Sequence, residues 1–304
     1  MMEYSKLIEA LTTNFVAAGS IKVLQPLTVE NFSDVENILL RSHGGQISYL
    51  KAGKREWVNP GELLFIPSGK PVTITHGHTD AISITQDYCL NNGWKYLQAT
   101  PRPAYQTPFE SFSYLSFDAR VLEAINLFSS LTIPVLVIRD SNKLSTLFNN
   151  ILAENALRAA GVDRVLAIST ELLIIELLRY MHNSHMLQRQ LDLYHAYFKD
   201  TRLIKIISYI RKNLDRDLSN RNLAATANIS EDYMGQYFKL LAGVSPQGYV
   251  ETQRMERAIR LLRTTSKSIS EIAKTVGFKD TAYFCRRFKL RLGVQPRKLR
   301  ACVG

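Results

Sequence analysis

SISEIAKTVGFKDTAYFCRRFKLRLGVQPRKLR, running from Ser268 to Arg300, is the stretch on which the reading of this chain turns. Ile269, Ile272, Ala273 and Val276 recur at helical spacing until Gly277-Phe278 interrupts them. A second helical pattern then starts. It carries Tyr283, Phe284, Phe288 and Leu292 on one side and Arg286, Arg287, Lys289 and Arg291 elsewhere. Gly293 and Pro296 stop it. Two short helices joined by a glycine-containing turn, the second of them basic, is the sequence pattern of a helix-turn-helix.

The same unit occurs once more, upstream. Tyr233-Met234-x-x-x-Phe238-Lys239-Leu240-x-x-Gly243-Val244-x-Pro246 matches Tyr283-Phe284-x-x-x-Phe288-Lys289-Leu290-x-x-Gly293-Val294-x-Pro296 at a constant offset of 50. Repetition at this level marks a duplicated structural unit. The upstream copy is preceded by a helix over Leu203–Leu214 and a short one over Arg221–Ala227. Asn228-Ile229 makes its turn, and Ser230 caps the new helix, with Glu231 and Asp232 in the first turn, where the helix dipole favours acidic groups. Between the copies, Gln247 to Arg263 reads as one continuous helix, roughly 25 Å long at 1.5 Å per residue. A rod of that length holds two reading helices at a separation near one turn of B-DNA, ~34 Å.

Charge points the same way. The 304 residues carry 38 Lys+Arg and 27 Asp+Glu, a formal net charge of +11. From Tyr197 onward there are 22 basic and 9 acidic residues, which leaves 16 basic and 18 acidic in the rest. The positive excess therefore sits wholly in the last third, a placement that fits a polyanion partner. Cys89, Cys285 and Cys302 are too scattered for a disulfide framework or a zinc site, which fits a reducing cytoplasm. The first residues have no basic segment followed by a continuous apolar run, and no stretch reaches the ~20 apolar residues of a membrane helix. A soluble cytoplasmic protein with no membrane partner is expected.

The earlier part of the chain has a different texture. Met1 to about Ser20 reads as one short helix. Short strands follow at Ile47–Leu50, Glu56–Val58, Leu63–Ile66, Val72–Thr75 and Ala81–Thr85, separated by turn residues such as Asn59-Pro60-Gly61. Strands this evenly spaced predict a sandwich or barrel. From Phe117 helical spacing returns, through Val121, Ala124, Ile125 and Phe128, then Leu144, Leu147, Phe148, Ile151 and Leu152. Asp163 to Met181 is apolar over more than one face. Leu166, Thr170, Leu173 and Leu177 there are candidates both for core and for a seam between two chains. The polar stretch from His182 to Gln190 is the expected linker.

Two resemblances now carry residues with them. Ile272-Ala273-x-x-x-Gly277-Phe278 followed by Tyr283-Phe284-x-Arg286-x-Phe288-Lys289-x-x-x-Gly293-x-x-Pro296 resembles the AraC/XylS family of transcription regulators over about the last 100 residues. Pro60-Gly61-Glu62-Leu63-Leu64-Phe65-Ile66-Pro67 resembles the signature of small cupin-type barrels. Together they imply an α+β chain: a cupin-like sensor barrel (1–117), a helical linker and dimerisation segment (118–195), and an all-α domain with two helix-turn-helix units joined by a long helix (196–304). In the last of these the resemblance implies base readers at Asp232, Gly235 and Gln236 in the first reading helix and Thr281, Ala282, Cys285 and Arg286 in the second. Gln suits adenine and Arg suits guanine in the major groove. Ser230, Lys239, Lys279, Arg287, Lys289, Arg297 and Lys298 are expected at phosphates, where they set register and salt dependence. The chain departs from the family at Gln236, Ala282, Gln295 and Leu299, so the fold follows from the match while the DNA sequence read does not.

In the barrel, Tyr49, Trp57, His76, His78, Tyr88 and Trp94 are candidates to line a ligand pocket. His76-Gly77-His78 looks like a turn, and no third histidine and carboxylate stand at metal-ligand spacing around it, so no metal and no cofactor is expected. The expected function is a non-enzymatic, sequence-specific regulator, more an activator than a repressor. It would bind two adjacent major grooves of double-stranded DNA as a homodimer under a small-molecule effector and would meet RNA polymerase. Control by a partner protein in place of an effector is the alternative. A cupin enzyme with a DNA-binding tail is a third reading, for which the metal triad is missing.

Overall fold

The structure, a computed structural model, describes residues 2–51, 53–77, 81–100, 110–121, 125–130, 133–187, 200–242, 244–292 and 295–301. The chain divides into two compact units, Met1–Leu187 and Gln188–Gly304.

The first unit is built on two sheets. Helix α1 (Met2–Glu9) leads into β1 (Leu11–Val23), then β2 (Leu27–Phe32), β3 (Asn37–Gly44), β4 (Ile47–Lys51) and β5 (Lys54–Val58). β6 (Leu63–Ile66), β7 (Val72–His76) and β8 (Ile82–Thr85) follow, then α2 (Gln86–Asn92), β9 (Leu97–Thr100) and β10 (Ser111–Val121). The unit ends with β11 (Ile125–Asn126), α3 (Leu127–Ser130), β12 (Leu136–Ile138), α4 (Asn142–Leu157) and α5 (Val162–Asn183). Among the described residues one sheet has the order β12-β6-β3-β10-β1-β9, with β11 on β10, and the other the order β5-β4-β7-β2-β8. The β-rich unit and its strand positions match the expectation, but the strands make two open sheets rather than a closed barrel. Ile38, Leu40, Leu64, Ile66 and Phe112 of the first sheet meet Ile47, Tyr49, Val58, Val72 and Ile74 of the second, which makes the layer between them a sandwich core.

Two stretches read as helix are strand instead. Residues 11–20 belong to β1, which pairs antiparallel with β10 from Leu11↔Val121 to Lys22↔Ser111. Residues 117–121 belong to β10, and α3 is confined to Leu127–Ser130. The cause is the same at both places. β10 is the central strand, bonded to β1 on one edge and β3 on the other, and it is buried on both faces. A strand with no solvent side loses its alternation, and pairing outweighs local spacing.

Helices α4 and α5 pack on each other and on β1. Arg41 of β3 donates to Asn149 Oδ1 of α4 at 2.9 Å, and Asn155 Nδ2 of α4 donates to the Ala18 carbonyl of β1 at 2.8 Å. Leu166, Thr170, Leu173 and Leu177 are all buried within this unit. The apolar side chains that α5 leaves exposed are Val165, Ile168 and Leu172, on its opposite side. No helix among the described residues is long and apolar enough to cross a membrane.

Of the proposed ligand-lining residues, Tyr49 and His76 lie in the sandwich. Tyr49 donates its hydroxyl proton to Glu56 at 2.6 Å, and the His76 ring stacks on Phe112 with centroids 4.2 Å apart. His76 therefore ends a buried strand and is no surface-loop histidine. Trp57, Tyr88 and Trp94 face outward, Trp94 at 72% exposure. His78 lies outside the described residues.

Burial lowers the His76 pKa to about 4, and burial with the Arg41 charge does the same to His43. His43 also shares a hydrogen bond with Ser113 Oγ at 2.8 Å. Both rings are neutral in the folded chain down to that pH, whereas an unfolded histidine takes up a proton near 6.5. The sign follows. Their destabilising effect is absent above the unfolded value and grows as pH falls from about 6.5 towards 4, because only the unfolded chain binds the protons. Urea unfolding across that window should show proton uptake of up to about two from these groups, and His76→Gln should lower it by about one. An unchanged slope in that variant would refute a neutral, buried His76.

Candidate nucleic-acid interface

The second unit consists of α6 (Thr201–Lys212), α7 (Asn220–Ala227), α8 (Glu231–Ala242), α9 (Pro246–Thr264), α10 (Ile269–Thr275), α11 (Thr281–Leu292) and α12 (Pro296–Ala301). Helices α7 and α8 form the first helix-turn-helix, α10 and α11 the second, and α9 joins them.

Local chemistry sets each boundary. Asp200 caps α6 by accepting from the Arg202 amide at 3.0 Å. Asn228 ends α7 with φ 52°, a left-handed position that Asn tolerates. Ser230 Oγ accepts from the Tyr233 amide at 3.3 Å at the start of α8. Ser245 Oγ accepts from the Gly248 amide at 3.1 Å, and Pro246 opens α9, where its missing N–H costs nothing. Ser268 and Glu271 make a reciprocal capping box on α10. At α11 the Ala282 amide donates to Asp280 at 2.8 Å.

The offset of 50 holds in burial as well as in sequence. Met234 and Phe284 are buried, as are Phe238 and Phe288. Tyr233 and Tyr283 are 46% and 48% exposed, and Leu240 and Leu290 are 78% and 75% exposed. The two tyrosines, expected with the core residues, thus lie on the flank of each reading helix. Phe238 packs on Tyr249 of α9 at 5.5 Å between ring centroids, while Phe284 packs on Phe278 at 5.2 Å and Phe288 at 5.5 Å. With those faces buried, α8 and α11 must turn the remainder outward. Asp232, Gln236, Ala282 and Arg286 are exposed, and Gly235, Thr281 and Cys285 are half-buried. All seven lie on the two reading helices. Ser230, Lys239, Lys279, Lys289 and Arg297 are exposed, and Lys298 is half-buried. Burial and the Asp280 charge raise the Cys285 thiol pKa, which disfavours the thiolate that a redox switch needs.

One expected phosphate ligand is otherwise engaged. Arg287 makes a two-pronged ion pair with Glu251 of α9, at 2.5 and 2.7 Å. Its hydrogen bonds hold the Glu251 carboxyl below the usual range. In the first helix-turn-helix the equivalent position is the buried Tyr237, with the Arg202 guanidinium 5.1 Å above its ring centre. Arg291 donates to Thr252 Oγ1 at 2.8 Å, so α11 is braced to α9 twice. Arg254, Gln247 and Glu251, which tie α9 to both helix-turn-helix units, were missed in the sequence. The available signal was an arginine interrupting the i+4 stripe of Val250, Ala258 and Leu262.

Two exposed polar helix faces on one basic all-α unit define a DNA-binding protein of the double helix-turn-helix class. The comparisons with known proteins agree. A helix-turn-helix domain family matches residues 223–301. Regulatory protein PocR of Salmonella typhimurium is 34% identical over 105 residues, 34% of this chain and 35% of PocR, so the match spans about a third of that relative's length. The Transposon Tn10 TetD protein of Escherichia coli is 31% identical over 118 residues, 39% of this chain and 84% of TetD. The solved structure of ToxT from Vibrio cholerae covers 97% of this chain and 98% of its own at 12% identity with a TM-score of 0.51, a likeness of fold alone. The chain belongs to the AraC-type family of DNA-binding transcription regulators.

Because Phe288 anchors α11, Phe288→Ala should lower the stability of the second unit by about 3–5 kcal/mol. Leu290→Ala, on an exposed site, should stay within about 0.5 kcal/mol. Denaturant unfolding of both variants checks this, and equal losses would refute the assigned faces.

Proposed function

We propose that this regulator reads two successive major grooves on one face of double-stranded DNA, with α8 in the first and α11 in the second. The observation that carries the reading is the matched exposure of the two helices, with equivalent apolar anchors inward and Gln236 and Arg286 at equivalent outward positions. Arg286 would read guanine and Gln236 adenine, with Asp232, Gly235, Thr281, Ala282 and Cys285 beside them. Ser230, Lys239, Lys279, Lys289, Arg297 and Lys298 would hold phosphates. Arg287 would serve there only by releasing Glu251.

The chain would act as a homodimer and as an activator that meets RNA polymerase. Val165, Ile168 and Leu172 are exposed on α5 at three- and four-residue steps, with half-buried Ile175 next in the series. That spacing makes a self-complementary helix seam, and its occupant is a second copy of this chain.

A small-molecule effector in the sandwich is supported by His76, whose buried Nδ1 has no hydrogen-bond partner among the described residues. The cavity beside it, lined by Ser42, Phe112 and Gly45 among others, is about 10 Å³, room for about one water. A larger effector would have to part the sheets there. The second reading, control by a partner protein, draws on the outward-facing Ile82, Tyr88 and Trp94, exposed apolar side chains near β8 and α2. A metabolite that raises the melting temperature of wild type but not of His76→Ala supports the effector. A protein that loses its binding on Trp94→Ala supports the partner.

On DNA selected by the wild-type protein, Arg286→Ala should cost about 1–3 kcal/mol and relax the base preference at one position, while Lys289→Ala should reduce the salt slope by about 1. Unaltered base preference in Arg286→Ala would remove α11 from the reading. Sedimentation should give a dimer for wild type and a monomer for Leu172→Glu, and a dimer in both would move the seam elsewhere.

A further inference from the structure

Arg254 lies on the connecting helix, yet its guanidinium is spent on the backbone of the first half and a ring of the second. Its Nε donates to the Leu214 carbonyl and its terminal nitrogen to the Arg216 carbonyl, each at 2.9 Å. These carbonyls lie just past the end of α6. The guanidinium carbon also sits 5.8 Å from the ring centre of Phe278, in the turn of the second helix-turn-helix. The neighbouring Gly277 has φ +89° and leaves no room for a methyl, since a Cβ there would stand 2.1 Å from the Leu214 oxygen and 2.8 Å from the Arg254 guanidinium carbon. The turn of the second helix-turn-helix therefore rests directly on the loop that follows α6, with Arg254 clamped between them. Outside that contact the two halves are separated by a cleft of about 940 Å³, lined by Asp217, Ser219 and Asn220 on one side and Lys279, Asp280 and Tyr283 on the other. Gln247 holds the first half to α9 through the Leu218 carbonyl at 2.8 Å, and Arg287 holds the second through Glu251. Among the described residues, neither of these hydrogen bonds joins one half to the other.

We infer that Arg254 is the positioning residue that fixes the separation and mutual rotation of the two reading helices, and so the spacing of DNA half-sites the protein accepts. The inference rests on the two-groove reading above. A planar guanidinium can satisfy two carbonyls and lie over an aromatic ring at once, whereas an ammonium is a compact point charge without that fork. With the clamp gone, the cleft can open or close, and the register between the two halves is lost while each half keeps its own buried anchors.

The test uses the full chain on a set of duplexes that carry the selected half-sites at the wild-type spacing and at one or two base pairs more or fewer. Wild type should disfavour a one-base-pair change by about tenfold, on the scale of a mismatched site. Arg254→Ala should flatten that preference to within about threefold while hydroxyl-radical protection persists in both half-sites. A loss of stability alone would weaken binding at every spacing equally and leave the preference intact, and that result overturns the inference. Should Arg254→Ala fail to fold, Arg254→Lys decides: an intermediate preference supports the clamp, and a wild-type preference overturns it. Protection of a single half-site by wild type would instead overturn the two-groove reading itself, a result distinct from a sharp preference that the variants share.

Discussion

Everything the second unit presents to its surroundings depends on burying one side of each reading helix. Met234 and Phe238 in α8, and Phe284 and Phe288 in α11, have no exposed surface. Rotating either helix by one residue, about 100°, would bring an aromatic ring into water and a charged side chain into the core, a loss of several kcal/mol on both counts. The outward direction of Gln236 and Arg286 is thus a consequence of hydrophobic packing on the far side, and no polar contact is needed to aim them. The braces from Glu251 and Thr252 to α11 are added to an orientation already decided.

The first unit obeys a different constraint. Its long strand pair, β1 with β10, forms the spine on which one sheet grows and against which α4 and α5 pack. Although buried on both faces, β10 carries small polar residues, and Ser113 finds partners in Ser20 at 2.7 Å and in His43. Asp118 and Arg120 on the same strand are likewise paired, at 2.7 Å. These pairs offset part of the cost of burying polar groups in the strand, while Asp118 Oδ1 and Asn126 Nδ2 stay without a hydrogen-bond partner among the described residues.

These two constraints explain what was legible beforehand. The helix-turn-helix units could be read almost to the residue because their information is local: capping serines, a turn, an apolar stripe and a repeat against which to check them. The strands between Ile47 and Thr85 were legible for the same reason, since turn residues bracket each one. Residues 11–20 and 117–121 were not, because their strand character comes from each other across a hundred residues of chain. His76 was read as a loop residue from the glycine beside it, although its ring is fixed by Phe112 on the opposite sheet. Arg254 was passed over because a cation on a basic helix looks like surface, and its carbonyl partners carry no mark in the sequence. Trp57, Tyr88 and Trp94 were grouped with Tyr49 by residue type, which says nothing about which side of a sheet a side chain takes.

The two turns differ in a way that bears on how interchangeable the halves are. The first uses Asn228 at its left-handed position and reaches Tyr233 five residues on, whereas the second uses Gly277 and reaches Tyr283 six residues on. Asn228 is exposed in the first, where a side chain has room, and Gly is required in the second because the Leu214 carbonyl occupies the place of a side chain. The halves therefore resemble each other as folds but are not modules. A graft of the first turn into the second position would keep a sound helix-turn-helix and drive a side chain into the loop after α6. Duplicated in pattern, the pair has become a single mechanical part with a front and a back.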